Sequence, residues 1–283
     1  LAHFGEPVRV VLCTHLDTVP PFIPSSEDAQ FIYGRGACDA KGILAAMVTA
    51  AEQLERDGFR QVALLLVVGE ESNSVGAHKA NELGVGNEYI VVGEPTENRL
   101  ASGHKGSLKF VLHAEGTAAH SAYPERGDSA IERLLHGLER IRQTDWGQSA
   151  LLGDATVNIG MLSGGVASNV IAPHAEAHVF VRLVGTVADA KAKLEEILVE
   201  DCGLTYQIST ASEAVTCETL DGFDATPVAF GSDIPLLTTL GKPLLLGPGS
   251  IHDAHGDDEK IEKQQASDGV QLYRDVVRRL LEM

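Results

Sequence analysis

Six potential metal ligands close apolar runs of strand length. His15 and Asp17 end "VVLCTHLDTV", Glu70 and Glu71 end "QVALLLVVGEE", Glu94 ends "EYIVVGE", and His255 ends "PLLLGPGSIHDAH". Asp39 lies in the Gly-rich turn "YGRGACDAKG". In open α/β sheets, ligands bind beyond the carboxyl ends of the strands, so adjacent strands would deliver all seven side chains to one crevice. Carboxylates gathered there repel one another unless cations lie between them. Nitrogen and oxygen donors without an obligatory thiolate suit zinc, cobalt or manganese. A carboxylate-rich set of this size suggests two ions bridged by one carboxylate, about 3.5–4 Å apart. Glu70 and Glu71, as neighbours at a strand end, point different ways, so one can join the metal shell while the other faces a substrate water. Asp17, two residues beyond His15 on an extended segment, lies on the same side and is expected to orient the imidazole. Taken singly, each residue has a plainer reading: a buried hydrogen-bonded pair for His15 and Asp17, a solvated turn for Glu70 and Glu71, a helix cap for Asp39, a loop acid for Glu94.

Short, Val- and Leu-rich runs with little alternation are what a mainly parallel sheet covered by helices requires. Between the first two runs, "GILAAMVTAAEQLERDG" places Ile43, Leu44, Met47, Ala50, Ala51 and Leu54 on one helical face and stops at Gly58, as a crossover helix would. A shorter helix is expected after Ser74, and "DGVQLYRDVVRRLLEM" reads as an amphipathic helix closing the chain. The middle has a different order: strand "SLKFVLHAEG", helix "DSAIERLLHGLERIRQ" with Asp128 as N-cap, strands "TVNIGMLSGG" and "EAHVFVRLVG", helix "ADAKAKLEEILVE", strand "LTYQISTAS". Strand–helix–strand–strand–helix–strand is a ferredoxin-like split motif. The expected organisation is α/β, with a catalytic domain at 1–103 and 213–283 and an inserted α+β domain at 104–212.

The 283 residues, with 22 basic and 40 acidic side chains, carry a formal charge of −18, which argues against nucleic acid, whose phosphates need a basic surface. No apolar run reaches the roughly 20 residues of a membrane span, and no segment has a signal-peptide layout. Four sparse cysteines, Cys13, Cys38, Cys202 and Cys217, read as reduced thiols in a cytoplasmic protein, with Cys13 and Cys38 packing as small hydrophobes rather than ligating. The first residue is Leu1 rather than Met, compatible with a start short of the natural N-terminus.

At these motifs the chain resembles the metallopeptidase M20 family of two-metal amidohydrolases, which includes acetylornithine deacetylase, succinyl-diaminopimelate desuccinylase, aminoacylase and glutamate carboxypeptidases. "HLD", "GACDAKG", "EE", "GEPT" and the "AH" of "GPGSIHDAH" recur in family order along nearly the whole chain. The resemblance implies that His15 and Glu94 hold one ion, Glu71 and His255 the other, that Asp39 bridges them, that Glu70 is the general base and that Asp17 supports His15. Family spacing favours His255 over its neighbour His252. In "GTAAHSAYPERG" the resemblance assigns His120 to stabilising the oxyanion, reaching across a homodimer formed through the inserted domain. In "GGVASNVIAP" and "VFVRL" it assigns Asn169 and Arg182 to the substrate carboxylate. Relatives carry several dozen residues ahead of "HLD", so a shortened N-terminus is expected here. "GPGSIHDAH" and "SDIPLL" look closest to acetylornithine deacetylase. The implied function is hydrolysis of an N-acyl amino acid with two divalent ions, zinc or cobalt, in arginine or lysine biosynthesis. A dipeptidase or carboxypeptidase of the same family, or a non-catalytic metal- or amino-acid-binding relative, is the alternative.

Overall fold

The computed structural model describes residues 1–199 and 203–283; Cys202 lies outside them. The chain forms two compact units, one of residues 1–104, 216–228 and 232–283, the other of residues 105–215 and 229–231. The return to the first unit therefore falls a few residues beyond the expected 212, and 229–231 goes back to the second. Strand Ala225–Val228, paired in parallel with Leu100–His104, belongs to the first unit.

The first unit is built on a five-stranded sheet in the order Ala2–His3, Val62–Val67, Val10–His15, Tyr89–Val92, Lys242–Leu245. The last four are mutually parallel. Ala2–His3 adds an antiparallel edge that the sequence did not signal, because two exposed residues carry no periodicity. Val10–His15 sits in the middle and is buried at every position, which accounts for its unbroken apolar composition. Parallel neighbours require a crossover. Helix Lys41–Arg56 provides it, burying Ile43, Ala46, Met47, Ala50, Ala51 and Leu54. Its end is set by Gly58 at φ +90°, a left-handed position that glycine takes without a Cβ penalty.

That helix and the C-terminal helix Lys263–Glu282 share one core with Val10, Leu12, Val62, Leu64, Tyr89 and Val91 of the sheet. The C-terminal helix starts ahead of the expected Asp268, since the polar residues of its first turn offer no apolar stripe to read. Tyr273, fully buried within it, donates its hydroxyl to the Leu246 carbonyl at 2.6 Å. Gly93 is required by close approach: a Cβ there would lie 2.6 Å from Ile43 Cγ2 and 2.7 Å from Met47 Cε. Two small sheets complete the unit, one of them the antiparallel set Lys260–Glu262, Phe31–Tyr33, Ser26–Glu27. The sheets are thus mixed rather than uniformly parallel. No helix among the described residues is long and apolar enough to cross a membrane.

The second unit is a four-stranded antiparallel sheet in the order Thr156–Gly164, His174–Leu183, Gly106–Glu115, Leu204–Ser212. In chain order this is 2-3-1-4, the order of a ferredoxin-like split motif. Alternation is clear along Gly106–Glu115, where Leu108, Phe110, Leu112 and Ala114 are buried. They pack against Leu134, Leu138 and Ile141 of helix Ala130–Gln143 and Leu194 of helix Val187–Val199. The N-cap of the first helix is Ser129, whose hydroxyl accepts from the Glu132 amide at 3.3 Å. Asp128, the expected cap, pairs instead with Arg133.

Leu12 has no solvent exposure at the centre of the first core. Truncation in Leu12→Ala should lower unfolding free energy by about 2 to 5 kcal/mol through lost burial and a residual cavity, read as a lower urea midpoint; a shift below about 1 kcal/mol would show that the site collapses without penalty.

Candidate metal centre

His15 is the last residue of the central strand, and the chain beyond it turns back to bind the end of the neighbouring strand. The Asp17 carboxylate accepts the amides of Gly69 at 2.8 Å and Glu71 at 3.2 Å, fastening the turn that carries Glu70 and Glu71. Gly69 at φ +86° permits that turn. Asp17 does not orient the imidazole in the expected way. His15 Nδ1 bonds the Asp17 backbone carbonyl at 3.0 Å, whereas the carboxylate oxygen is 3.7 Å away. A proton held at Nδ1 leaves Nε2 with a lone pair available to a cation, and Nε2 faces Asp39 Oδ1 at 2.9 Å.

Two groups of donors result. Ligand atoms of His15, Asp39 and Glu94, all buried, lie within 4.8 Å of one another, and so do those of Asp39, Glu71 and His255. Asp39 belongs to both. His255 Nε2 is 3.1 Å from Glu71 Oε1 and 3.3 Å from Asp39 Oδ2. His255 itself takes a left-handed backbone, φ +63°, and is half exposed. His252 is exposed and belongs to neither group. Glu70 is partly buried beside the groups without joining them.

The electrostatics of the cluster are those of crowded, buried carboxylates. Burial, reinforced by Glu70, Asp39, Asp233 and Glu71, pushes the Glu94 carboxyl well above its usual range. Burial likewise raises Glu70 to about 8, with Asp233, Asp39 and Glu71 adding and His15 opposing. Glu71 is raised by burial and by Asp39. Burial opposes charge on His15, but the hydrogen bond and charge of Asp39 outweigh it and lift the imidazole to about 9. His255 reaches about 9 mainly through its hydrogen bond to Asp39. Burial would raise Asp39, yet the two imidazoles hold it at about 2. A cation placed among these groups would relieve the same repulsion. The donors are all nitrogen and oxygen, one carboxylate is shared, and two three-donor groups fit two divalent ions. Cys13 and Cys38 stand outside both groups, burial raising each thiol, and Cys38 Sγ donates to the Ser250 carbonyl at 3.2 Å.

Sequence reasoning passed over Asp233, a buried carboxylate in "SDIPLL". It raises the pKa of Glu70 and Glu94, and neither oxygen meets a donor in good hydrogen-bond geometry, the Ser74 hydroxyl only easing its charge. Its only sequence signal was the motif itself.

His120, Asn169 and Arg182 belong to the second unit. His120 forms an isolated antiparallel bridge with Val170, and the Ser121 amide donates to the Asn169 carbonyl at 3.0 Å, so these two segments are neighbours. Both His120 and Asn169 are exposed, and His120 Nδ1 accepts the Ala122 amide at 3.1 Å. Arg182 lies on the helix-free face of the antiparallel sheet, its guanidinium 4.3 Å from the Phe180 ring centre.

Carboxylates and imidazoles converging at the strand ends of one sheet make a candidate two-metal site, and comparison with known proteins gives the family. Residues 11–279 match the model of peptidase family M20/M25/M40. A peptidase M20 domain-containing protein of Schizosaccharomyces pombe is 39% identical over 274 residues, covering 95% of this chain and 68% of that one. A probable carboxypeptidase of Aspergillus flavus is 38% identical over 313 residues, covering 97% and 73%. An M20 family metallo-carboxypeptidase of Sulfolobus solfataricus shares the fold at a TM-score of 0.77 and 15% identity, covering 98% and 86%. The chain belongs to the M20 peptidase family, and a Bacillus subtilis protein of that family with the same fold is a dinuclear metal-binding peptidase.

A pH dependence follows for protein stripped of metal. His15 and His255, raised from 6.5 to about 9, contribute stability that is complete below pH 6.5 and lost as pH rises through 9. Glu70, raised from 4.5 to about 8, favours its neutral form when folded, so stability also falls across that interval. Asp39, depressed from 3.8 to about 2, contributes above 3.8 and is lost as pH falls through 2. Chelator-treated protein should therefore have its highest Tm at about pH 4 to 4.5 and a declining Tm from there up to pH 9, with divalent cation restoring the alkaline side because metal replaces the bound protons. A Tm of the metal-stripped protein that rises from pH 6.5 to 9 would contradict this sign.

Proposed function

We propose that this chain hydrolyses an amide bond whose nitrogen belongs to an amino acid with a free α-carboxylate. The single observation carrying the reading is the sharing of Asp39 between two donor groups beside the partly buried, unligating Glu70. His15, Glu94 and Asp39 would hold one divalent ion, and Glu71, His255 and Asp39 the other. When bound, the ions supply Lewis acidity, lowering the pKa of water and polarising a carbonyl. Glu70 takes a proton from the attacking water as oxygen bonds to carbon. It returns that proton to nitrogen as the carbon–nitrogen bond breaks, leaving a carboxylic acid and a free amino group. Cations beside Glu70 would draw its pKa down from the metal-free value, readying the carboxylate for proton capture.

His120 would share the oxyanion charge, and Asn169 and Arg182 would select the substrate carboxylate, Arg182 through its planar fork. Zinc is the ion favoured, with cobalt as a substitute. N-acyl amino acids of the acetylornithine type are the first substrate class, placing the enzyme in arginine or lysine biosynthesis. A carboxypeptidase or dipeptidase reading, favoured by the names of the relatives, uses the same centre and the same product carboxylate.

A homodimer through the second unit is supported by its open edge strand Thr156–Gly164, with Met161 and Leu162 exposed at 64% and 56%, beside a groove lined by Ile131, Leu134 and Leu135. A cytoplasmic location is supported by the buried free thiols of Cys13, Cys38 and Cys217.

Glu70→Gln should leave the metal content intact and reduce kcat by about 10² to 10⁴; turnover equal to wild type would remove Glu70 from the mechanism. Chelation should abolish hydrolysis and added zinc or cobalt restore it, and activity surviving chelation would overturn the two-metal reading. A panel of acetyl and succinyl derivatives of ornithine, citrulline, lysine and diaminopimelate, run beside dipeptides, should show higher kcat/KM for the acyl amino acids. The reverse order would assign the carboxypeptidase reading.

A further inference from the structure

The turn that presents Asp39 is bound to the protein from behind. Glu259, with a fully buried side chain, accepts through one oxygen, Oε1, the backbone amides of Gly36 at 3.0 Å, Cys38 at 3.1 Å and Asp39 at 3.0 Å. Its other oxygen, Oε2, takes the Arg35 guanidinium at 2.6 Å, with 2% of the Arg35 side chain exposed. Arg35 in turn donates to the carbonyls of Gly256 at 3.1 Å and Pro21 at 3.3 Å. Gly34 closes the ring by donating its amide to the Glu259 carbonyl at 2.9 Å. One buried ion pair therefore ties together the turn ending in Asp39, the segment immediately after His255 and the segment a few residues beyond Asp17. Successive amides converging on one point form a cradle for an anion, and here the protein fills it with its own carboxylate. A carboxylate buried this deeply is tolerable only because it is paired and accepts several hydrogen bonds at once.

We propose that Glu259, with Arg35, is the positioning residue of the metal centre, fixing Asp39 and His255 in their ligating places before any ion arrives. The geometry supports this because every contact named runs between protein atoms. The proposal rests on the reading of Asp39 as the shared ligand for its consequence, but not for its test. An outer carboxylate that orients ligands usually changes metal affinity by about 10- to 100-fold when lost. Glu259→Gln keeps an oxygen for the amides and replaces the oxygen facing Arg35 with an uncharged donor, so it removes the ion pair with little change in volume.

The test begins with hydrogen exchange of chelator-treated wild type. The Gly36, Cys38 and Asp39 amides should already be protected, and cobalt should change their rates less than tenfold. Amides that exchange freely until cobalt is added would overturn the proposal, because the ion would then be organising the turn. In Glu259→Gln the same three amides should lose at least tenfold of their protection, and titration with cobalt, followed by its visible absorption, should show at least tenfold weaker binding of the shared-ligand pair of ions. A folded Glu259→Gln protein with wild-type exchange at these amides and a cobalt affinity within twofold of wild type would also overturn it. Should that variant fail to fold, the wild-type exchange experiment decides alone. Wild-type protein that takes up no cobalt would overturn the metal reading of the centre, while protection of the three amides would still decide the role of Glu259.

Discussion

Asp39 stands between two imidazoles, 2.9 Å from His15 and 3.3 Å from His255, in a neighbourhood that also holds Glu70, Glu71, Glu94 and Asp233. Like charges at such separations in a partly dry site cannot all persist without cations or protons. The first unit is arranged around that constraint. Parallel pairing sends three strand ends to the same edge of the sheet, so His15, the Glu70–Glu71 turn and Glu94 arrive together without long loops to hold them. Burial of Val10–His15 on both faces makes the edge stiff, and stiffness is what allows repelling groups to be kept close.

The two units solve the problem of a sheet face differently. Helices Lys41–Arg56 and Lys263–Glu282 cover one face of the five-stranded sheet, and Val11, Cys13, Ala63, Leu65, Ile90 and Val92 are buried as well, so polarity is confined to strand ends. In the antiparallel sheet of the second unit only one face is packed on helices. The other carries Lys109, Phe180 and Arg182, the two cations lying 4.8 and 4.3 Å from the same ring. Chemistry in the first unit must sit at an edge, while in the second it can occupy a surface.

Legibility in the sequence tracked how much of each signal was periodic or terminal. Apolar runs that stop at an acid or histidine announced the strands, and the recurrence of that ending on several strands pointed to most of the donors. Contacts made by a side chain to distant backbone were invisible. Asp17 looked like a partner for the His15 ring, yet its carboxylate serves the Gly69 and Glu71 amides, which are more than fifty residues away. Glu259 sits in "GDDEK" among acids of identical appearance, and burial alone distinguishes it from Asp257 and Asp258. Ser129 and Asp128 are both good caps, and Arg133 decided between them by drawing Asp128 away. Short edges such as Ala2–His3 and Ser26–Glu27 exist only through their partners, so no local pattern could reveal them.

The first unit is discontinuous, and this has a consequence for the order in which it can be completed as the chain is made. Strand Lys242–Leu245 pairs with Tyr89–Val92, and roughly 150 residues separate them along the chain. During synthesis, which proceeds from the N-terminus, the four apolar residues Tyr89, Ile90, Val91 and Val92 remain an unpaired sheet edge while the whole second unit emerges. A second unit with its own core can fold in that interval without waiting for the first. His255 and Glu259 come later still, so the newborn chain carries His15, Asp39 and Glu94 long before it has the residues that complete the crevice. For that period the acidic cluster is an open site on an unfinished sheet, and elements made after the second unit are the ones that close both.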